Sequence, residues 1–164
     1  MNYVQMIEES NNLETPQGVG SAPPTIWEIT EFMRFLVLEK VSIAALEDFM
    51  RVAQPTARLR LTVGLDLIMA GGYCPPRGGP HIAEHLRQLL DEVNEGKSAW
   101  DGYLEFLSLQ PFTSGNGRAA RTLWYWMMRF TGREHEMQFG FLKAYYHLTL
   151  GQVQYLPICQ CDKP

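Results

Sequence analysis

The residue types best suited to chemistry fall in one short run. Gly115-Asn116-Gly117 is followed at once by Arg118, with Arg121 three positions further on. Glycine and asparagine accept positive φ and let successive backbone N–H groups converge on an anion. A helix beginning at this point adds its own unpaired N–H groups and the positive end of its dipole. Two arginines three apart project from neighbouring positions on such a helix. The chemistry suggested is a cradle for a chain of phosphates.

The elements that must position this run are readable on both sides. Ser98 to Leu109 is an apolar helical segment stopped by Pro111, because proline lacks an N–H and biases the preceding residue away from helical geometry. Arg118 to Phe130 is rich in Leu, Met and aromatic residues and reads as a second helix, with Gly132 where a C-terminal cap belongs.

The full run Gln110-Pro111-Phe112-Thr113-Ser114-Gly115-Asn116-Gly117-Arg118, with Arg121, resembles the signature of the Fic/Doc (Fido) family, His-Pro-Phe-x-Asp/Glu-Gly-Asn-Gly-Arg-x-x-Arg. Two positions depart from it. Gln110 stands where the family has its catalytic histidine, and Ser114 where it has the acidic ligand of magnesium. The resemblance implies that the backbone of Gly115, Asn116 and Gly117 wraps an α-phosphate, with Asn116 adding a side-chain contact. It implies that Arg118 takes the next phosphate and Arg121 the terminal one, and that Phe112 pins the loop to the core. Its cofactor would be ATP or another nucleotide, with Mg²⁺ entering only as the nucleotide's companion.

The departures bear on mechanism. In the family the histidine takes a proton from a hydroxyl on a target protein, which then attacks the nucleotide α-phosphate. A general base needs a pKa near working pH, and the Gln110 amide holds no proton of that kind. Mg²⁺ prefers carboxylate and phosphate oxygens, and a neutral Ser114 hydroxyl supplies no charge. The expected function is therefore a pseudoenzyme, a regulatory or partner-binding protein that keeps a phosphate pocket. The alternative is a divergent transferase moving AMP or another phosphate-linked group onto a protein hydroxyl. A scaffold using the fold only for contacts is a third reading.

Upstream, Gly71-Gly72-Tyr73-Cys74-Pro75-Pro76 opens a stretch too dense in glycine and proline for helix. It resembles the family's flap, a β-hairpin that holds a target segment beside the site; this implies a protein partner docked along Gly71, Gly72, Tyr73, Pro75 and Pro76. Further upstream, Ser10-x-x-x-Glu14 resembles the family's inhibitory motif, whose glutamate pairs with the second arginine, although Thr15 stands where that motif has Gly or Asn. A polar tail without a role is the plainer reading of that segment.

Other helices follow from apolar spacing. They are Met1 to Asn12, Ile26 to Glu39 opened by the Thr25-x-x-Glu28 capping box, Ser42 to Ala53, Pro55 to Ala70, Pro80 to Asn94 and Phe139 to Leu150. The expected class is all-α: a Fic-like bundle of six or seven helices with a small β-hairpin flap. The expected organisation is a leader or short helix over 1–24, a Fic-like domain over 25–151 and a tail over 152–164.

A net charge of −4 and the lack of a basic helix face argue against nucleic acid as a partner, including the helix-turn-helix reading open to any small helical protein. No basic segment leads into an apolar run at the N-terminus, and no stretch approaches a membrane span, so the expected location is the cytoplasm. Cys74, Cys159 and Cys161 cannot all pair with one another, which favours a reducing compartment. His81 and His85, four apart, are read as solvated side chains rather than metal ligands, and His135 and His147 have no motif around them.

Overall fold

The computed structural model describes residues 3–14, 22–67 and 73–133. Six helices lie within them: α1 (Tyr3–Glu14), α2 (Ile26–Leu36), α3 (Ile43–Ala53), α4 (His81–Asn94), α5 (Ala99–Leu109) and α6 (Asn116–Phe130). Their starts follow local chemistry. Thr25 and Glu28 close a reciprocal capping box on α2, Ser42 accepts from the Ala45 N–H at the head of α3, and Ser98 accepts from the Asp101 N–H at the head of α5. Each cap satisfies N–H groups that a helix leaves without partners.

Eleven of the fifteen residues of α6 are buried, among them Trp124, Trp126 and Leu123, so this helix is the core of the bundle rather than a face of it. It packs against α5, α2, α1 and α3, while α4 closes the outer side of α5. Trp126 donates its indole N–H to the Leu38 carbonyl at 2.8 Å, tying the end of α2 to the core. None of the described helices is long and apolar enough to cross a membrane.

Residues 55–67 correct the helix expected from Pro55 onward. Arg60 N–H donates to the Pro111 carbonyl at 2.9 Å, Thr113 N–H to the Arg58 carbonyl at 2.9 Å, and Gly79 N–H to the Arg60 carbonyl at 2.8 Å. Backbone groups committed to these distant partners are lost to an i→i−4 ladder. Gly64 adds a φ of +92°, and Leu61 and Val63, which a helical stripe would bury, are exposed. Leu59 instead forms an isolated antiparallel bridge with Phe112, and no strand is longer than this among the described residues. The expected hairpin is accordingly not seen: Tyr73 to Pro76 runs without a strand, and Gly71 and Gly72 lie outside the described residues, as do the helix expected over Phe139 to Leu150, His135, His147, Cys159 and Cys161.

Candidate anion site at the head of the core helix

The loop between α5 and α6 is shaped by three buried residues. Gln110 caps α5 in the left-handed region (φ 47°, ψ 60°), a conformation that costs a non-glycine residue about 1 kcal/mol or more. Arg60, wholly buried, offsets this by donating to the carbonyls of Gln110 at 2.6 Å and Leu109 at 2.9 Å, and from Nη1 to those of Pro76 at 2.8 Å and Leu65 at 3.1 Å. Two of these acceptors belong to the C-terminal turn of α5, where carbonyls lack helical partners and carry the negative end of the dipole. Burial lowers the Arg60 pKa from its usual value, with Asp66 and Tyr73 acting in the opposite direction.

Asn116 supplies the second clamp. Its Oδ1 accepts from the Phe112 N–H at 2.8 Å and its Nδ2 donates to the Phe112 carbonyl at 2.7 Å. Both ends of the amide are thereby engaged in holding the bend, which leaves one N–H of its two for any further acceptor. Phe112 itself is buried to 1% exposure, at the place where an anchor of the loop would sit.

Gly115 then turns the chain at φ 69° into α6, whose N-terminus has no side-chain cap. Gln110 is 5% exposed, and its Nε2 folds back to donate to the Leu107 carbonyl at 2.8 Å. Ser114 is half-buried beside the turn. No group of three or more His, Cys, Asp or Glu that could hold a metal exists among the described residues.

The arginines point to opposite walls. Arg118 reaches the C-terminal end of α3, its Nη1 donating to the Ala53 carbonyl at 2.5 Å and to Gln54 Oε1 at 2.9 Å. Arg121 reaches α1, donating from Nε to Ser10 Oγ at 2.8 Å and from Nη2 to the Ser10 carbonyl at 3.1 Å and Glu14 Oε1 at 2.6 Å. That same Glu14 oxygen lies 2.2 Å from the point a Cβ on Gly117 would occupy. A carboxylate therefore rests directly on the first turn of α6.

Arg118 Nε and Arg121 Nη1 are buried without a hydrogen-bond partner. A buried donor left in this state costs about 1–3 kcal/mol, more for a charged group. Beside Arg118 a cavity of about 20 Å³, room for roughly one water, is lined by Ser10, Asn11, Thr122 and Tyr125 over apolar Phe32 and Phe49.

The segment Tyr73 to Pro76 meets the same framework from its other side. Tyr73 Oη donates to the Ser108 carbonyl at 2.6 Å, and the Pro76 carbonyl accepts from Arg60. His81 and His85 are exposed with ring centroids 6.0 Å apart. The sequence reading missed Arg60, Ala53 and Gln54. Arg60 lies in a run with a helical apolar rhythm; its one signal is an arginine set between Leu59 and Leu61, and Arg58 two positions earlier shares the same pattern. The ends of α3 gave no signal at all, because its contact with Arg118 spans more than sixty residues of chain.

No family model matches the chain, and no curated protein sequence matches it. Among solved structures, Fic-1 from C. elegans is similar, with a TM-score of 0.54 and 20% sequence identity over 92% of this chain. The match spans 54% of that Fic-1 structure, so the chain corresponds to about half of it. With six helices among the described residues, the loop held by Phe112 and Asn116 and this structural match, the chain carries a Fic-like, all-α fold.

Proposed function

We propose that the chain is a Fic-fold pseudoenzyme, a regulatory or partner-binding protein whose Gly115–Arg121 turn receives the phosphates of a nucleotide when α1 withdraws. The observation that carries this reading is the Glu14 carboxylate, seated over Gly117 and paired with Arg121. A carboxylate oxygen is an anion of the same hardness as a phosphate oxygen, and α6 offers it uncapped N–H groups and a positive dipole end. The two orphaned guanidinium nitrogens supply donors that the protein itself does not use. Glu14 thus acts as an internal stand-in for the ligand and as its competitor.

The residues fit anion binding better than transfer. The Gln110 amide is buried against Leu107 and has no proton equilibrium to contribute, and Ser114 offers no carboxylate to magnesium. A protein segment along Tyr73 to Pro76 would be held next to the pocket because Arg60 bonds both Pro76 and Gln110.

Thermal-shift titrations with ATP, ADP and pyrophosphate, with and without Mg²⁺, test the reading on wild type, Glu14→Ala and Arg118→Ala. Stabilisation should be weak in wild type, strong in Glu14→Ala and lost when Arg118→Ala is added. Equal behaviour of the first two would remove Glu14 as a competitor. A mass of AMP gained by a target protein, or by the chain itself, would establish the transferase reading instead. Transfer appearing only in Gln110→His combined with Ser114→Asp would locate the lost chemistry in those two positions.

A further inference from the structure

We propose that Gln54 sets the anion affinity of the Arg118 side of the pocket, as a positioning residue that aims the guanidinium with a neutral amide and leaves its charge for a ligand. The inference rests on the anion-binding reading above. Its starting point is the end of α3, where Gln54 is the C-cap and donates its N–H to the Met50 carbonyl at 2.8 Å. The last carbonyls of a helix have no helical partners, and the Ala53 carbonyl spends this capacity on Arg118 Nη1.

Gln54 Oε1 receives the same nitrogen at 2.9 Å. A guanidinium is only a donor, which assigns the oxygen rather than the NH₂ of the amide to this contact. Held at one corner by two acceptors, the guanidinium has its direction fixed while its Nε stays buried without a partner. Among the described residues no carboxylate forms an ion pair with Arg118, in contrast to Arg121, which has Glu14. The Cβ and Cγ of Gln54 also lie 3.1 and 3.0 Å from where a Cβ on Gly115 would stand, so the same side chain forms the wall against which the loop turns.

Amide and carboxylate are nearly isosteric, and they separate two roles. If Gln54 served packing alone, Gln54→Glu would disturb the fold slightly and leave anion binding in place. As a charge-sparing positioner, its replacement by glutamate should keep or raise the melting temperature through an ion pair with Arg118, while placing a negative charge beside the ligand.

In Glu14→Ala protein, pyrophosphate binding measured by calorimetry should weaken by about tenfold or more with Gln54→Glu, equivalent to about 1.4 kcal/mol. Gln54→Met, which loses the contact without adding charge, should weaken it by a few fold. Unaltered affinity in Gln54→Glu overturns the proposal. Absence of pyrophosphate binding in Glu14→Ala itself would overturn the anion reading, and the positioning is then judged without ligand. In wild-type protein the Arg118 Nε–Hε resonance should shift and exchange faster with solvent in Gln54→Met; a resonance unchanged by Gln54→Met overturns the positioning role.

Discussion

Glu14 Oε1 accepts from Arg121 Nη2 at 2.6 Å across 107 positions of sequence, and the same oxygen covers the Cα of Gly117. One carboxylate therefore joins the N-terminal helix to the head of the core helix. Arg121 is 1% exposed, so its charge depends on partners the fold supplies.

Removing that carboxylate leaves a buried guanidinium with Ser10 as its only remaining hydrogen-bond partner among the described residues. Glu14→Ala should lower stability by about 1–3 kcal/mol in urea unfolding, the cost of an orphaned charged donor. Amide exchange should quicken over residues 3–14 and stay slow in α5 and α6. Pyrophosphate at about 100 times its Kd should return some 2.7 kcal/mol. Unchanged exchange in α1 would mean that its apolar contacts, through Met6 and Ile7, hold it without Glu14.

Gly117→Ala separates the latch from the pocket. The position is helical, where alanine is favoured over glycine by about 1 kcal/mol, yet its Cβ would meet Glu14 Oε1 at 2.2 Å and Arg121 Nη1 at 3.0 Å. The carboxylate, at the free end of its side chain, is the group that yields. The alanine offsets about 1 kcal/mol of the lost Glu14–Arg121 pairing, so stability should fall by less than in Glu14→Ala while α1 loses exchange protection. Unlike Glu14→Ala, this variant should gain no affinity for pyrophosphate, because the methyl group fills the space the carboxylate held. Strong binding in Gly117→Ala would show that the anion seats elsewhere.

How much of this was legible in the sequence depends on the range of the interaction. Thr25 with Glu28, Ser42 and Ser98 announce their helices because cap and capped N–H lie three residues apart. The turn at Gly115 was readable for the same reason. Arg60 and Gln54 were not, since each acts on partners more than forty residues away that no local spacing encodes. Asn116 shows a further limit: its residue type fits an anion cradle, but the sequence does not show that its amide also clamps both backbone groups of Phe112 four positions earlier. The segment from Pro55 to residue 67 had a helical apolar rhythm and took another course because Arg60 gains more from four carbonyls than from a helical face.

Arg60 is the next point of attack. Arg60→Met keeps volume but strands the carbonyls of Leu65, Pro76, Leu109 and Gln110. Several buried acceptors lost together should cost about 3–5 kcal/mol, read as a lower urea midpoint at unchanged slope. Arg60→Lys keeps the charge, but its three tetrahedral donors cannot reproduce the planar fork, so it should fall between Met and wild type. A lysine variant as stable as wild type would show that charge alone, facing the α5 dipole, holds the turn.

Tyr125 gives the alkaline limit of the fold. Burial pushes its phenol far above the usual tyrosine range; Glu9 and Tyr103 push the same way and Arg121 opposes them. The folded pKa is raised, so the contribution is present in full below the unfolded pKa of about 10 and is lost as pH rises beyond it. Above that pH the unfolded chain releases a proton that the folded chain retains, and stability falls by up to about 1.4 kcal/mol per pH unit from this one group. Tyr125→Phe cannot release that proton, so the gap between variant and wild-type stability should narrow or reverse between about pH 10 and 11.5, where tyrosine in the unfolded chain ionises. Comparing the two removes the background of the other tyrosines and lysines, which titrate in both. Urea midpoints that stay parallel through this range would mean that the phenolate forms inside the folded protein, with Arg121 close enough to stabilise it.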